Sequence, residues 1–208
     1  MEKIKVFSIA YISIGVLFVL TLFFHPYPGS YLIKPIPVLI MTYLCFLGLK
    51  GGIRYLMVAA LLFSAAGDVL LDVDRGRLFV PGLVSFLVAQ VLYSIVFAKE
   101  FRFRAARLLI AAGMIIYVSV IYYLEDLGRL QIPVLIYMVV ITVMGIFASF
   151  SKRPVNGVLV GALFFIVSDS LIAINKFIHP FPYSTIFVII TYYSAQYRIG
   201  MGMLGAKD

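Results

Sequence analysis

The chain has 208 residues, of which 63% are hydrophobic and only 12% charged, with a mean hydropathy of +1.10 and a formal net charge of +8. So little polar surface cannot cover a water-soluble globule, and the composition requires an integral membrane protein. A single cysteine, Cys45, excludes an internal disulfide and a thiolate metal cluster. The basic residues lie in short runs between apolar segments and form no patch that would suit nucleic acid.

In chain order, charged and turn-rich punctuation leaves eight apolar segments, at roughly 6–24, 35–49, 55–73, 79–98, 108–124, 132–150, 157–175 and 183–200. Most approach the ~20 residues that a helix needs to cross the hydrocarbon core. The opening MEKIKVFSIAYISIGVLFVL has the charge and apolar run of a signal peptide, but the run is long and no small-residue cleavage site follows, so it reads as the first helix. The second segment is short and would run tilted, begin before Pro35 or thin the bilayer. Connections such as HPYPGSYLIK, KGGIR, DRGRL, SKRPVN and KFIHPFP carry the Gly, Pro and charge of helix ends. They leave no room for a soluble domain. The expectation is an all-α integral membrane protein, a single membrane domain over 1–208 with eight transmembrane helices.

Eight spans place both termini on one side. That side, with the loops at 50–54, 99–107 and 151–156, holds 12 Lys and Arg against 5 on the other, so the positive-inside rule puts both termini in the cytoplasm. In a bacterial cell the membrane would be the plasma membrane. The basic run KEFRFRAAR reads as a cytoplasmic anchor against anionic lipid.

Internal repeats shape the rest of the reading. IPVLI occurs at 36–40 and again at 132–136. LLFSAAGDVLL at 61–71 aligns with ALFFIVSDSLI at 162–172, which sets Asp68 against Asp169. FLVAQVLY at 86–93 aligns with YYSAQYRI at 192–199, which sets Gln90 against Gln196. Three matches in order imply a four-plus-four duplication, with halves near 1–104 and 105–208. Since four is even, the halves run parallel, related by an axis along the membrane normal. Pseudo-symmetry of this kind would bring Asp68 and Asp169 together at a central cavity.

A charged side chain near the bilayer centre costs at least ~2.5 kcal/mol, so intramembrane acids are rarely idle. Ser64, Asp68 and Asp72 are spaced by four and share one helical face. Ser168 and Asn175 share a face of the seventh helix, and Lys176 follows two turns after Asp169. Gln90 with Tyr93, and Tyr192 or Tyr193 with Gln196, continue the polar stripe on the fourth and eighth helices. These residues are expected to line a pocket. The plainer readings are interhelical hydrogen bonds for the neutral side chains and an ion pair with Lys34 or Lys176 for each aspartate. His25 and His179 sit in Pro-flanked loops and read as loop residues. Without a His cluster no zinc site is expected, and no metal or other cofactor is implied. No GxSxG, HExxH or phosphate-binding loop is present. Two carboxylates in a low-dielectric site point to acid-catalysed cleavage of a bond that needs protonation, or alternatively to proton-coupled secondary transport of a small or lipid-like solute.

FSAAGDVLL, FFIVSDSLIAINKF, the pair Lys34 and Pro35, FVPGLVSFLVAQVLY and TYYSAQ together resemble the YhhN-type lysoplasmalogenase family of eight-helix membrane proteins. The resemblance runs from the second helix to the last. It implies hydrolysis of the vinyl ether bond of a lysoplasmalogen, a single-chain lysophospholipid, to a fatty aldehyde and a glycerophospho-base. The family's GD falls on Gly67 and Asp68 and its SD on Ser168 and Asp169. At Gln90 the chain departs from the His expected in the fourth-helix motif. On this reading one aspartate donates the proton and the other activates water. Gln90, Gln196 and the tyrosines would orient the water or the glycerol end, and Lys34 or Lys176 would meet the phosphate.

Overall fold

The structure is a computed structural model that describes residues 2–24, 27–74, 76–124 and 131–205. His25 lies outside the described residues. Every named element is helical, and one isolated bridge joins Phe101 and Ser151. Among the described residues six helical stretches are long and apolar enough to cross a membrane: Ile4–Phe24, Ser30–Gly48, Gly51–Val73, Phe79–Lys99, Gln131–Ser149 and Val155–Ile178. The protein is therefore a multi-pass helical membrane protein.

The helices are α1 (Glu2–Thr21), α2 (Ser30–Ile33), α3 (Ile36–Gly48), α4 (Gly51–Val73), α5 (Phe79–Lys99), α6 (Leu108–Leu124), α7 (Gln131–Ser149), α8 (Val160–Ala173) and α9 (Ser184–Leu204). Each apolar segment of the sequence falls on one of them. The second does begin before Pro35. The chain turns helical at Ser30, breaks at Lys34 and Pro35, and continues as α3, because proline has no N–H to carry the helix through. Two helices fall outside the six for different physical reasons. The described apolar stretch at α6 is shorter than a full span, whereas α9 is long but carries Gln196, Arg198 and several tyrosines.

The chain forms two compact units, Met1–Tyr93 and Ser94–Asp208, with the boundary inside α5; the repeat reading drew it after that helix, near 104. In the first unit α1 packs on α3, α3 on α4, and α4 on the start of α5. Small residues permit the last contact, as is usual where lipid removes the hydrophobic drive between helices. A Cβ at Gly67 would come within 2.6 Å of the Phe86 ring, and one at Gly82 within 2.6 Å of Leu71. Outward faces carry exposed Val6, Ile9, Val16, Leu17 and Leu20, as lipid contact allows.

In the second unit α6 packs on α7, α7 on α8, and α8 on α9. Gly157, in the turn before α8, and Gly202 of α9 come into backbone contact: a Cβ at Gly157 would sit 2.5 Å from the Gly202 Cα. Two wider π-helical turns bracket α8, at Val155–Leu159 and Ile174–Ile178. A polar clamp closes one end of this unit. The buried Glu100 carboxylate meets Arg153 at 2.9 Å and Lys152 at 3.0 Å, and Arg153 Nη1 also reaches the Met203 carbonyl. Buried Arg107 donates to the carbonyls of Ser149 and Ser151.

Burial alone would push the Glu100 carboxyl up, but the hydrogen bonds and charges of Arg153 and Lys152 outweigh it and hold its pKa below the ordinary 4.5. A depressed pKa contributes stability above the ordinary value and loses it as pH falls through the folded one. Glu100→Gln should therefore lower the thermal midpoint in detergent at neutral pH by several degrees, reflecting a loss of about 2 kcal/mol from a charge-assisted hydrogen bond. The gap between wild type and variant should close as the pH is taken below 4.5, measured by tryptophan-independent thermal unfolding such as circular dichroism.

Candidate functional site

The first unit gathers its buried charge where α3 begins and α4 ends. Lys34 sits at the helix break and is only 5% exposed. Its Nζ lies 3.8 Å from an Asp68 carboxylate oxygen and 3.9 Å from one of Asp72. Asp68 is 1% exposed, and the Ser30 hydroxyl donates to the Asp72 carboxylate. The i, i+4 spacing on α4 points both acids the same way, and the Pro35 break turns Lys34 toward them. Unit charges about 4 Å apart attract by about 4 kcal/mol at an effective dielectric of about 20. One ammonium thus offsets much of the cost of burying two acids. The formal balance is still one acid more than base.

One turn before Asp68, on the same face, Ser64 is fully buried, and its hydroxyl has no hydrogen-bond partner among the described residues. A buried hydroxyl in that position costs about 1–3 kcal/mol unless an oxygen or water meets it. Gln90 and Tyr93 on α5 are also fully buried in this unit.

The second unit treats its acid differently. Asp169, half-buried on α8, accepts a hydrogen bond of 2.6 Å from the Tyr137 hydroxyl on α7. Its neighbour Ser168 is buried and donates to the Val188 carbonyl of α9. Tyr192 and Tyr193 are buried on α9, Tyr192 standing edge-on to Phe165, and Gln196 is fully buried. The π-helical turn after Ala173 shifts the register beyond Asp169. Asn175 there accepts a hydrogen bond from the Phe181 N–H and shapes the turn to α9, while Lys176 is exposed. His179 is likewise exposed at the helix end.

Lys34 is thus joined to Asp68 and Asp72. Two participants escaped the sequence reading, Ser30 and Tyr137. The Gly29–Ser30 helix start preceding Lys34 offered a faint signal for Ser30. The repeat hid Tyr137, because the IPVLI alignment sets it against Met41. Among the described residues no group of three or more His, Cys, Asp or Glu side chains is arranged to hold a metal ion.

The fold and the buried charge define a multi-pass helical membrane protein with a lysine held against paired acids. The chain belongs to the YhhN family, whose signature it matches over residues 29–203. It is 30% identical over 196 residues to the bovine (Bos taurus) protein named lysoplasmalogenase TMEM86A, covering 86% of this chain and 80% of that one. It is 31% identical over 175 residues to human (Homo sapiens) lysoplasmalogenase TMEM86B, with coverage of 83% and 74%. To a Mycobacterium bovis protein named lysoplasmalogenase it is 32% identical over 136 residues, with coverage of 62% and 52%. No solved structure gives a significant match.

Removing the ammonium should expose the cost of the acids it faces. Lys34→Met should destabilise the protein by about 3 kcal/mol, the low end for breaking a buried pair at these distances. Combining Lys34→Met with Asp68→Asn and Asp72→Asn should recover most of that loss. Thermal or denaturant unfolding in detergent across the set measures the coupling.

Proposed function

We infer that the chain is a lysoplasmalogenase-type hydrolase, cleaving the vinyl ether bond of a lysoplasmalogen with water to give a fatty aldehyde and a glycerophospho-base. The observation that carries this reading is the buried acid face of α4, where Asp68 meets Lys34 and Ser64, one turn earlier, has a buried hydroxyl with no partner among the described residues. Family membership and the names of the relatives agree with it.

The chemistry needs a proton on carbon. A general acid protonates the β-carbon of the vinyl ether, and the positive charge that develops is shared with the ether oxygen as an oxocarbenium ion. Water adds to the carbon bearing oxygen, loses a proton, and the resulting hemiacetal collapses to aldehyde and alcohol. The proton taken up at carbon and the proton lost from water balance, so no cofactor enters. A cluster with two acids and one base can hold such a proton and release it. Asp68 is assigned to this proton transfer, with Lys34 and Asp72 holding its carboxyl in place. Asp169, oriented by Tyr137, is assigned as the second carboxylate, whose negative charge favours the oxocarbenium ion and whose oxygen accepts the proton from water. Paired carboxylates serve glycosidases in the same chemical way on unrelated folds.

On this reading Ser64 is assigned to hold the attacking water or the ether oxygen, and Gln90, Tyr93, Ser168, Tyr192, Tyr193 and Gln196 would supply polar lining. Asn175 and Lys176 lie toward the helix end, where the glycerophospho-base would be exposed. Eight membrane crossings with both termini cytoplasmic complete the reading, arranged as a four-plus-four repeat. The sequential packing of α1, α3, α4 and α5, and of α6 to α9, supports that repeat.

Purified protein in detergent should release fatty aldehyde from a lysoplasmalogen and none from a diacyl lipid. Asp68→Asn and Asp169→Asn should each lower kcat by at least ~10²-fold, the scale of general acid–base contributions. Tyr137→Phe should lower kcat about tenfold with little change in KM, since it removes only a hydrogen bond of about 1.4 kcal/mol that orients Asp169. Folded Asp→Asn proteins with full rates would refute the assignment, and proton-coupled solute flux in vesicles without aldehyde would replace the hydrolase with a transporter.

A further inference from the structure

The second unit contains a cleft of about 470 Å³ that the hydrolytic chemistry does not use, lying between the first turn before α8 and the C-terminal half of α9. Its lining includes Asn156, Ser194, Tyr197, Arg198 and Met201, and the Gly157–Gly202 contact closes it on one side. The size suits the polar part of a small ligand.

Among the described residues Arg198 is the one charged side chain lining this cleft. Its Nη1 donates to the Asn156 carbonyl at 2.9 Å, and its guanidinium lies over the Phe164 ring at 5.7 Å. These contacts hold the group across the cleft and leave its Nε and Nη2 edge for another acceptor, the edge that binds phosphate in a two-pronged way. Among the described residues no carboxylate pairs with Arg198, whereas the neighbouring cations Lys152 and Arg153 are both held by Glu100. The site therefore presents a single positive charge, matched to a monoanion.

The face of α9 shows where such an anion would come from. Phe187, Ile190, Ser194, Tyr197 and Met201 follow one another at spacings of three and four and form one stripe. The stripe is polar beside the cleft and becomes exposed and apolar away from it, with Phe187 52% and Ile190 48% exposed. Such a surface accepts an acyl chain below a phosphate. We propose that the cleft binds the phosphodiester of a membrane phospholipid, with Arg198 as its anchor and the Phe187–Ile190 stripe as the bed of an acyl chain.

Native mass spectrometry of the delipidated protein in detergent, titrated with phosphatidylglycerol, tests this independently of hydrolysis. The wild type should retain one phosphatidylglycerol at concentrations where diacylglycerol, which lacks the phosphate, is not retained. Arg198→Ala should reduce the retained fraction at least threefold, while Arg77→Ala, which changes an exposed arginine outside the cleft, should leave it unchanged. Ser194→Leu, which fills the cleft and keeps Arg198, should lose the lipid too, and decides the case if Arg198→Ala does not fold. Wild-type retention in a folded Arg198→Ala protein or in Ser194→Leu would overturn the proposal. So would equal retention of diacylglycerol, or displacement of the lipid by equimolar soluble glycerophosphoglycerol, which would mark a site for a free phosphodiester.

Discussion

An ammonium held between two carboxylates inside an apolar helical unit is the constraint around which the first unit is built. A buried carboxylate is costly unless it is paired, and here one ammonium lies near both acids. The break at Pro35 solves the geometry: it ends α2 at Lys34, restarts the chain as α3, and sets the ammonium opposite the face of α4 that carries Asp68 and Asp72. Glycines at 67 and 82 then let α5 close over the neighbouring face of α4. Buried charge and packing are tied to the same helix, so a substitution on it is felt in both.

The second unit handles its polar groups by separating them. Asp169 has a neutral partner, the Tyr137 hydroxyl, while the ionic contacts of Glu100 collect at the opposite end of α8 with Lys152 and Arg153. π-helical turns flank α8 at either end.

Much of the fold was legible because lipid imposes a simple code. Long apolar runs become helices, and the loops carry Gly, Pro and charge, so every apolar segment coincides with helical backbone. The acids stood out for the same reason. Partner choice was less legible. The sequence offered Lys34 and Lys176 alike, and the helix break, a feature of backbone direction, brings Lys34 to Asp68 and Asp72. Tyr137 was hidden because the residue matched to it by the internal repeat, Met41, has no hydroxyl. The extra register shift of a π-helical turn leaves no mark in a hydropathy pattern, which is why Asn175 shapes a turn instead of continuing the face of Ser168.

The central claim is acid-catalysed protonation of the vinyl ether carbon by a buried carboxyl. It is tested most directly by running the hydrolysis in D2O, reducing the aldehyde at once to stop exchange, and locating deuterium by mass spectrometry. The account predicts one deuterium on the carbon next to the former carbonyl, formed at a rate slowed in D2O and abolished in Asp68→Asn. Aldehyde formed without deuterium at that carbon would contradict it, because the bond would then have broken without protonation of the alkene.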